Sequence, residues 1–269
     1  MADVLIGVAG CAGRMGQMLV HEIARTEGCK LAGGTEAPGK NTVLGRDLGE
    51  LSGLGTLGLR VGDDPAALFA RVDAVLDFTT PAATLQHVAL AAANGTVHVI
   101  GTTGIDANGA KAIEAAARNA AIVWSPNMSV GVNLLLALVE QVAATLDPRY
   151  DIEIVEMHHR HKVDAPSGTA LGLGRAAAKG RGVAFEGAAQ RARNGHTGAR
   201  EPGKIGFAAL RGGDVVGDHS VIFAGDGERI ELTHRAAGRQ IYAQGAVRAA
   251  LWAQGRPAGL YSMRDVLGL

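Results

Sequence analysis

The sequence of 269 residues has few cysteines, few aromatic residues and no net charge. Its two cysteines, Cys11 and Cys29, offer no disulfide framework, which is typical of a protein from a reducing compartment. Lys and Arg together number 26, as do Asp and Glu, so nothing attracts the chain in general to nucleic acid or to an anionic membrane. No apolar run is long enough for a membrane span, and the N-terminus lacks the pattern of a signal peptide. We therefore expect a soluble, cytoplasmic protein that binds neither nucleic acid nor membrane.

What the first half of the chain does contain is short apolar segments that alternate with helical patterns. The segments predicted as strands are VLIGVAG, KLAGGTE, DAVLDFTTP, HVIGTTG and AIVWSPN. Strands that alternate with helices predict an α/β fold with a doubly wound parallel sheet of the Rossmann type. Ligands of such sheets bind at the carboxyl ends of the strands, where GCAGRMG, DFTTP, GTTG and SPNMS lie.

The pattern changes after residue 127. A long apolar helix, VGVNLLLALVEQVAATL, precedes alternating strands with hairpin-like connections, one of which carries the turn dipeptide Asp226-Gly227. This pattern predicts an inserted α+β domain over residues 128–237, built on an open mixed or antiparallel sheet. The tail of residues 245–269 is predicted to be helical, and residues 238–269 are predicted to return to the domain of residues 1–127.

A glycine-rich turn joins the first predicted strand to the first predicted helix. Gly10, Gly13 and Gly16 would let the backbone approach a pyrophosphate, whose charge the N–H groups of a helix start stabilise, and Arg14 adds a cation. Glu36, about 20 residues further on, could accept hydrogen bonds from ribose hydroxyls and would repel a 2′-phosphate. A tight connection that binds nothing is the alternative, but the position between strand and helix favours a dinucleotide site. Cys11 in this turn is interpreted as a small space-filling residue.

The segment HHRHKVDAPSGTA, residues 158–170, concentrates cations in a chain that has no net charge. A metal site is disfavoured, because the histidine spacing is not that of a helical pair and no acidic cluster accompanies it. A solvated loop is the plainest alternative. An anion pocket explains more, with Lys162 and an imidazole on either side of a dicarboxylate and donors from a helix start at Ser167, Gly168 and Thr169. We expect no metal.

These motifs together resemble the dihydrodipicolinate reductase family, and the resemblance covers essentially the whole chain. It runs through GVAGCAGRMG, DFTTP, VIGTTG, SPNMSVGVN, EMHHRHKVDAPSGTA, GHTGAREPGKIGF and RGGDVVGDHSVIF. The resemblance implies reduction of the unsaturated cyclic imine derived from 4-hydroxy-tetrahydrodipicolinate to tetrahydrodipicolinate, by NADH or NADPH, in lysine and diaminopimelate biosynthesis. It also implies a homotetramer assembled through the sheets of the second domain.

The same resemblance assigns roles to individual residues. It implies that His158 is a proton donor, that Lys162 is the second catalytic cation, and that His159 and the Ser167-Gly168-Thr169 turn hold the substrate carboxylates. The residues that it implies for cofactor binding are Gly10, Cys11, Ala12, Gly13, Arg14, Met15, Glu36, Gly101, Thr102, Thr103, Ser125, Pro126, Asn127 and Met128. His21, His87 and His98 are interpreted as structural, and the residues alone assign no role to His196, His219 or His234.

The cofactor preference depends on departures from the family pattern. Ala37 and Thr80 stand where some members carry an arginine able to hold a 2′-phosphate, although Lys40 lies nearby. We therefore expect NADH to be preferred, with NADPH possible. Two other functions remain open, a different dehydrogenase of amino-acid-derived acids and a regulator that binds dinucleotide without turnover. Loss of His158 or Lys162 would favour the regulator, and both residues are present.

Overall fold

The computed structural model describes residues 2–269, and this part of the chain divides into two compact units. The first contains the described residues up to Val130 together with Arg239–Leu269, and the second contains Gly131–Gly238. The sequence predicted joints after residues 127 and 237. Between residues 2 and 269 no helix is long and apolar enough to cross a membrane.

The first unit is built on a parallel sheet. Its strands are β1 (Val4–Ala9), β2 (Cys29–Thr35), β3 (Ala74–Asp77), β4 (Val97–Ile100), β5 (Ala121–Trp124) and β11 (Gly259–Tyr261). They lie in the order β11-β5-β4-β3-β1-β2, and every pair is parallel. The order changes direction between β1 and β3, which is the switch point at which doubly wound sheets bind ligands. The predicted Rossmann-type sheet is thus confirmed.

Helices cover both faces of this sheet. They are α1 (Arg14–Arg25), α2 (Leu48–Leu51), α3 (Pro65–Phe69), α4 (Pro81–Asn94), α5 (Ala107–Ala116), α9 (Gln240–Ala253) and α10 (Met263–Leu267). One core cluster joins α1 and α9 to the sheet, and another joins α3, α4 and α5 to it. Because both faces are covered, β3 and β4 are buried along their whole length, and their apolar residues carry only Asp77 and His98 as buried polar exceptions.

The tail of the chain differs from its prediction. Residues 245–269 were predicted to be helical, but Gly259–Tyr261 forms β11, which pairs in parallel with β5. A strand of three residues is too short to show an alternating pattern. Its existence depends on backbone hydrogen bonds to β5, which no local sequence signal encodes.

The second unit is built on a mixed sheet, as predicted. Its strands are β6 (Asp151–His158), β7 (Ala189–Gln190), β8 (Ile205–Arg211), β9 (Gly217–Gly225) and β10 (Glu228–Ala236), in the order β10-β9-β6-β8-β7. β6 is antiparallel to β9 and parallel to β8, and the β9–β10 hairpin turns at Asp226-Gly227. Helices α6 (Val130–Thr145), α7 (Gly168–Gly180) and α8 (Phe185–Ala188) complete the set, and α6 and α7 share a core cluster with one face of the sheet.

Alternation along β6 decides which of its side chains reach this core. Ile152, Ile154, Glu156 and His158 are buried, and the residues between them are half-buried. The apolar half of the buried face packs against α7 and α6, and the polar half lies at the carboxyl end of the strand. The strand therefore delivers a carboxylate and an imidazole, two residues apart, to the same side of the sheet.

Candidate active site

The glycine turn of the first unit has the geometry of an anion cradle. Gly10 has a φ of 69°, and a Cβ added at Gly16 would lie 2.1 Å from the carbonyl oxygen of Gly10. Larger residues would therefore separate the turn from α1. Gly13 is the N-cap of α1 and makes no side-chain cap hydrogen bond, so the helix start carries no side chain of its own over its first N–H groups. This arrangement fits the pyrophosphate of a dinucleotide.

Glu36 lies beside this turn, at the end of β2. Its Oε1 accepts a hydrogen bond from the Ala12 backbone N–H at 2.9 Å, and its Oε2 lies 2.8 Å from Lys40 Nζ. Only 6% of Glu36 is exposed, whereas Lys40 and Ala37 are exposed. The structure thus brings together the glycine turn and the carboxylate that the sequence singled out, with Lys40 already engaged by that carboxylate.

Cys11 faces away from the surface of the turn. Its side chain is fully buried against Gly34, where an added Cβ would lie 2.8 Å from the Cys11 sulfur. Burial, together with the charge of Glu36, raises the pKa of the Cys11 thiol to about 12. The thiol is therefore unreactive, in keeping with a space-filling role, and the Cys11 backbone N–H donates to the carbonyl oxygen of Thr35 at 3.1 Å.

Two further predicted cofactor segments end neighbouring strands of the sheet. Residues 101–103 follow β4, with Thr102 buried and Thr103 exposed. Residues 125–128 follow β5, where the Ser125 hydroxyl donates to the carbonyl oxygen of Asn127 at 2.9 Å, and Met128 is buried in the core. Both segments lie at the edge of the sheet that carries the glycine turn, because the carboxyl ends of parallel strands share one edge.

A buried carboxylate beneath these segments was not identified from the sequence. Asp77 is fully buried at the end of β3, and its Oδ2 lies 2.8 Å from His87 Nδ1 and 3.2 Å from His98 Nε2. Its Oδ1 accepts hydrogen bonds from the backbone N–H and the hydroxyl of Thr79, and a 3.5 Å hydrogen bond from Thr102 Oγ1. Burial opposes ionisation, but the hydrogen bonds from His87 and His98 outweigh it and hold the pKa of Asp77 well below its usual range. Asp77 therefore ties the DFTT and GTT segments to each other.

In the second unit, the catalytic candidates gather where β6 ends. His158 is 8% exposed, and its Nδ1 lies 2.6 Å from Glu156 Oε2. Arg211 forms a bidentate pair with Glu156, with both nitrogen–oxygen distances at 2.8 Å. Burial works against ionisation of Glu156, but its hydrogen bonds with Arg211 and His158 prevail, so the pKa of this carboxyl lies below its ordinary value.

Lys162 is held close to this cluster by the loop that follows β6. Its Nζ lies 2.8 Å from Asp164 Oδ1, and the hydrogen bond lowers the pKa of the Asp164 carboxyl. Arg211 Nη2 donates to the carbonyl oxygen of Asp164 at 2.6 Å. The side chain of Lys162 is 20% exposed, so its ammonium remains accessible to a ligand.

Helix α7 begins at the predicted Ser-Gly-Thr turn. Ser167 is its N-cap, and the Ser167 hydroxyl accepts a hydrogen bond from Ala170 N and lies 3.0 Å from His219 Nε2. Burial first, and then the charge of His158, lower the pKa of His219 to about 4, so its ring is neutral when it shares a hydrogen bond with the Ser167 hydroxyl. Ser167 is only 2% exposed, so its hydroxyl acts within the protein, whereas Gly168 lies exposed at the first position of the helix.

The remaining predicted carboxylate ligands lie around the same turn. His159 is half-buried, and its Nδ1 accepts a hydrogen bond from the His161 backbone N–H at 3.2 Å. Thr169, the second residue of α7, is half-buried. Within residues 2–269 no group of three or more His, Cys, Asp or Glu side chains could hold a metal ion. The cationic segment thus belongs to a compact polar cluster.

Four members of the two clusters carried no signal that the sequence analysis used: Asp77, Glu156, Arg211 and His219. Glu156 and His158 lie two positions apart on one strand, and this spacing indicates a shared face. Arg211 and His219 reach the site only through the register of β8 and β9, where Arg211 lies opposite His158 and His219 opposite Glu156.

Comparisons with known proteins agree along the whole chain. Residues 4–128 match the family model described as dihydrodipicolinate reductase, N-terminus, and residues 131–267 match the model described as dihydrodipicolinate reductase, C-terminus. A 4-hydroxy-tetrahydrodipicolinate reductase of Mesorhizobium japonicum is 59% identical over 268 residues, covering 99% of this chain and 98% of that protein. The corresponding protein of Brucella abortus is 58% identical over 263 residues, covering 97% and 98%.

A solved structure shows the same fold. The structure described as dipicolinate-bound dihydrodipicolinate reductase from Paenisporosarcina sp. TG-14 superposes with a TM-score of 0.78 at 24% identity. The superposition covers 98% of this chain and 99% of that chain.

Proposed function

The chain belongs to the dihydrodipicolinate reductase family, and from this premise we propose how its two clusters reduce 4-hydroxy-tetrahydrodipicolinate to tetrahydrodipicolinate. The protein is an oxidoreductase of lysine and diaminopimelate biosynthesis, and its first unit is a nicotinamide-dinucleotide-binding domain. The individual roles of the site residues, the preference for NADH and the assembly of the chain are parts of the proposal.

The observation that supports these roles best is the grouping of His158, Lys162 and the start of α7 within the second unit. When bound, the nicotinamide cofactor supplies a hydride to the conjugated imine of the dehydrated substrate. The hydride adds electron density to the imine system, so a proton must follow to balance the charge. An imidazole or an ammonium group suits this step. We assign it to the site formed by His158 and Lys162.

The substrate carboxylates meet complementary groups in the same unit. The Lys162 ammonium and the His159 imidazole supply positive charge or hydrogen-bond donors, and the start of α7 supplies backbone N–H groups at Gly168 and Thr169. Ser167 acts mainly through its cap, because its hydroxyl is taken up by Ala170 N and His219. The turn is thereby held rigid before the substrate binds.

The preference for NADH rests on the surroundings of Glu36. A buried carboxylate beside the glycine turn suits ribose hydroxyls and repels a 2′-phosphate, and Lys40 is already paired with it. We expect kcat/KM to be higher with NADH than with NADPH, and Ala37→Arg to shift the ratio toward NADPH by about 10-fold through one new phosphate contact. Steady-state kinetics with both cofactors test this, and an equal or higher kcat/KM with NADPH for the unaltered protein would refute the preference.

Assembly into a homotetramer through the second sheet is a further part of the proposal. On the face of this sheet opposite α7, Val155, Met157 and Ile222 are half-buried and Leu210 is 49% exposed. Such an apolar patch suits contact with another copy of the chain. Light scattering coupled to size-exclusion chromatography measures the mass in solution. A monomer at micromolar concentration would refute the proposed homotetramer.

The reaction itself is tested by a coupled assay. A purified synthase makes the unstable substrate from pyruvate and aspartate semialdehyde, and NADH consumption is followed at 340 nm. We expect turnover by the unaltered protein and a fall in kcat/KM of about 10³-fold in Lys162→Ala, since the variant loses a substrate contact and a catalytic cation together. Lys179→Ala, which removes an exposed lysine paired with Glu140 on the helices of the same unit, is the matched control.

The same assay separates the proposal from its alternatives. A protein that binds NADH without consuming it would be a dinucleotide-dependent regulator. Turnover with another amino-acid-derived acid, in preference to this substrate, would indicate a different dehydrogenase. The retained cations at His158 and Lys162 favour the reductase over both.

A further inference from the structure

We propose that Glu156 and Arg211 form a positioning pair that holds the His158 ring with Nδ1 protonated and leaves Nε2 as the nitrogen that delivers the proton. This inference rests on the proposed function and deepens it. It assigns specific work to two residues that act through His158 and do not contact the reacting atoms.

The hydrogen bonds of Glu156 determine the tautomer of His158. Both oxygens of this buried carboxylate accept: Oε1 from Ser167 N at 3.1 Å and from Arg211 Nη2, and Oε2 from His158 Nδ1 at 2.6 Å and from Arg211 Nη1. A side chain that carries a bidentate arginine is ionised and can only accept. His158 must therefore donate through Nδ1, and its Nε2 alone can gain or lose a proton.

The backbone leaves room at the opposite nitrogen. A Cβ added to Gly217 would lie 3.1 Å from His158 Nε2, so Nε2 lies over a glycine on the neighbouring strand β9. His219, two residues further along β9, packs its ring against His158 at a centroid distance of 5.0 Å and an angle of 75°. The ring is thus fixed by a hydrogen bond at Nδ1 and by an aromatic contact at its face or edge.

Arg211 neutralises the negative charge that Glu156 alone would place beside the site. An unpaired carboxylate buried beside the site would repel a dicarboxylate substrate and would bear the full cost of desolvation. The bidentate pair carries no net charge, so it can orient His158 without adding a negative field. Arg211 lies directly opposite His158 in the parallel β6–β8 register, which places its guanidinium within reach of the carboxylate two residues earlier.

Arg211 also connects His158 to Lys162. Its Nη2 donates to the Asp164 carbonyl, and the Asp164 carboxylate lies 2.8 Å from Lys162 Nζ. The Arg211 guanidinium therefore contacts both Glu156, which is hydrogen-bonded to His158, and the loop segment that carries Lys162. A change at Arg211 should disturb both groups, whereas a change at Glu156 should act mainly on His158.

The test compares Glu156→Gln with Glu153→Gln. Glu153 lies on the same strand with its side chain on the opposite face, and it is paired with Arg193 and Arg200, so it is a matched control for the loss of a clamped carboxylate. In the coupled assay we expect Glu156→Gln to lower kcat by about 100-fold, the lower range for loss of general acid catalysis, with KM changed less than about 3-fold. The solvent deuterium isotope effect on kcat should rise, because proton delivery becomes slower than hydride transfer.

Dipicolinate binding, measured by calorimetry, reports on the folded site independently of turnover. We expect Glu156→Gln to keep its Kd for dipicolinate within about 3-fold, since the carboxylate ligands are untouched. A kcat loss no larger than that of Glu153→Gln would overturn the proposal. A parallel loss of kcat and dipicolinate binding would also overturn it, because Glu156 and Arg211 would then shape the anion-binding site and would not act by fixing the tautomer of His158.

Arg211→Lys decides the matter if Glu156→Gln does not fold. Lysine keeps the positive charge but cannot make the bidentate contact of the guanidinium, so we expect kcat to fall by about 10-fold. We also expect KM to rise, because the loop that carries Lys162 loses its contact with residue 211. Unchanged kinetics in a folded Arg211→Lys protein would overturn the proposal. Failure of the proposed function is distinct from these outcomes, since the unaltered protein would then not consume NADH at all.

Discussion

The neutral, buried state of His219 makes the stability of the second unit depend on pH. Its folded pKa is about 4, against 6.5 when exposed, because burial and the neighbouring His158 disfavour the charged ring. Between these two values the unfolded chain binds a proton at His219 that the folded chain does not, so stability falls as the pH falls. Above pH 7 the residue contributes no pH dependence.

The magnitude follows from the same two values. The whole difference corresponds to about 3 kcal/mol, and at pH 5 about 2 kcal/mol of it is already lost. We expect His219→Gln, whose side-chain amide can either donate to or accept from the Ser167 hydroxyl, to lose about 2 kcal/mol less than the unaltered protein between pH 7.5 and pH 5. The variant abolishes the titration and preserves the hydrogen bond to the helix cap.

Urea unfolding at the two pH values measures this difference. Trp124 and Trp252 both belong to the first unit, so tryptophan fluorescence follows that unit while circular dichroism follows both. His196→Gln, at an exposed position of the same unit, is the matched control and should parallel the unaltered protein. The reasoning is refuted if the unfolding free energies of His219→Gln and the unaltered protein change equally with pH.

Two further substitutions test the first unit. Asp77→Asn should raise the Kd for NADH, followed by nicotinamide fluorescence, by about 10-fold and lower the unfolding free energy by about 3 kcal/mol, because it breaks the buried network that ties two predicted cofactor segments together. An unchanged Kd for NADH would show that Asp77 contributes to stability and not to cofactor binding. Gly16→Ala should cost about 1–3 kcal/mol and weaken NADH binding, since its Cβ would lie 2.1 Å from the Gly10 carbonyl oxygen. Gly187→Ala, where an added Cβ meets nothing within 4 Å, is the control, and equal NADH affinities in these two glycine variants would contradict the cradle geometry.

The local patterns of the sequence determined much of the fold. The short apolar segments at β3 and β4 and the alternation through β9 and β10 predicted strands, because each pattern reflects the faces that its own segment buries. The glycine turn and the segment of residues 158–170 were also recognised locally. In each, the groups that we propose to bind a ligand lie in consecutive residues, namely backbone N–H groups at a helix start and cations beside one.

Contacts between distant segments were decided only by the tertiary structure. Arg211 reaches Glu156 across 55 positions of the chain, and His219 reaches Ser167 across 52. Neither pair leaves a periodic signal, because strand register alone brings these side chains onto one face. Strand β11 likewise depends on β5 for its existence. The sequence by itself thus singled out the groups to which we assign the chemistry, and the register of the second sheet decided which residues contact them.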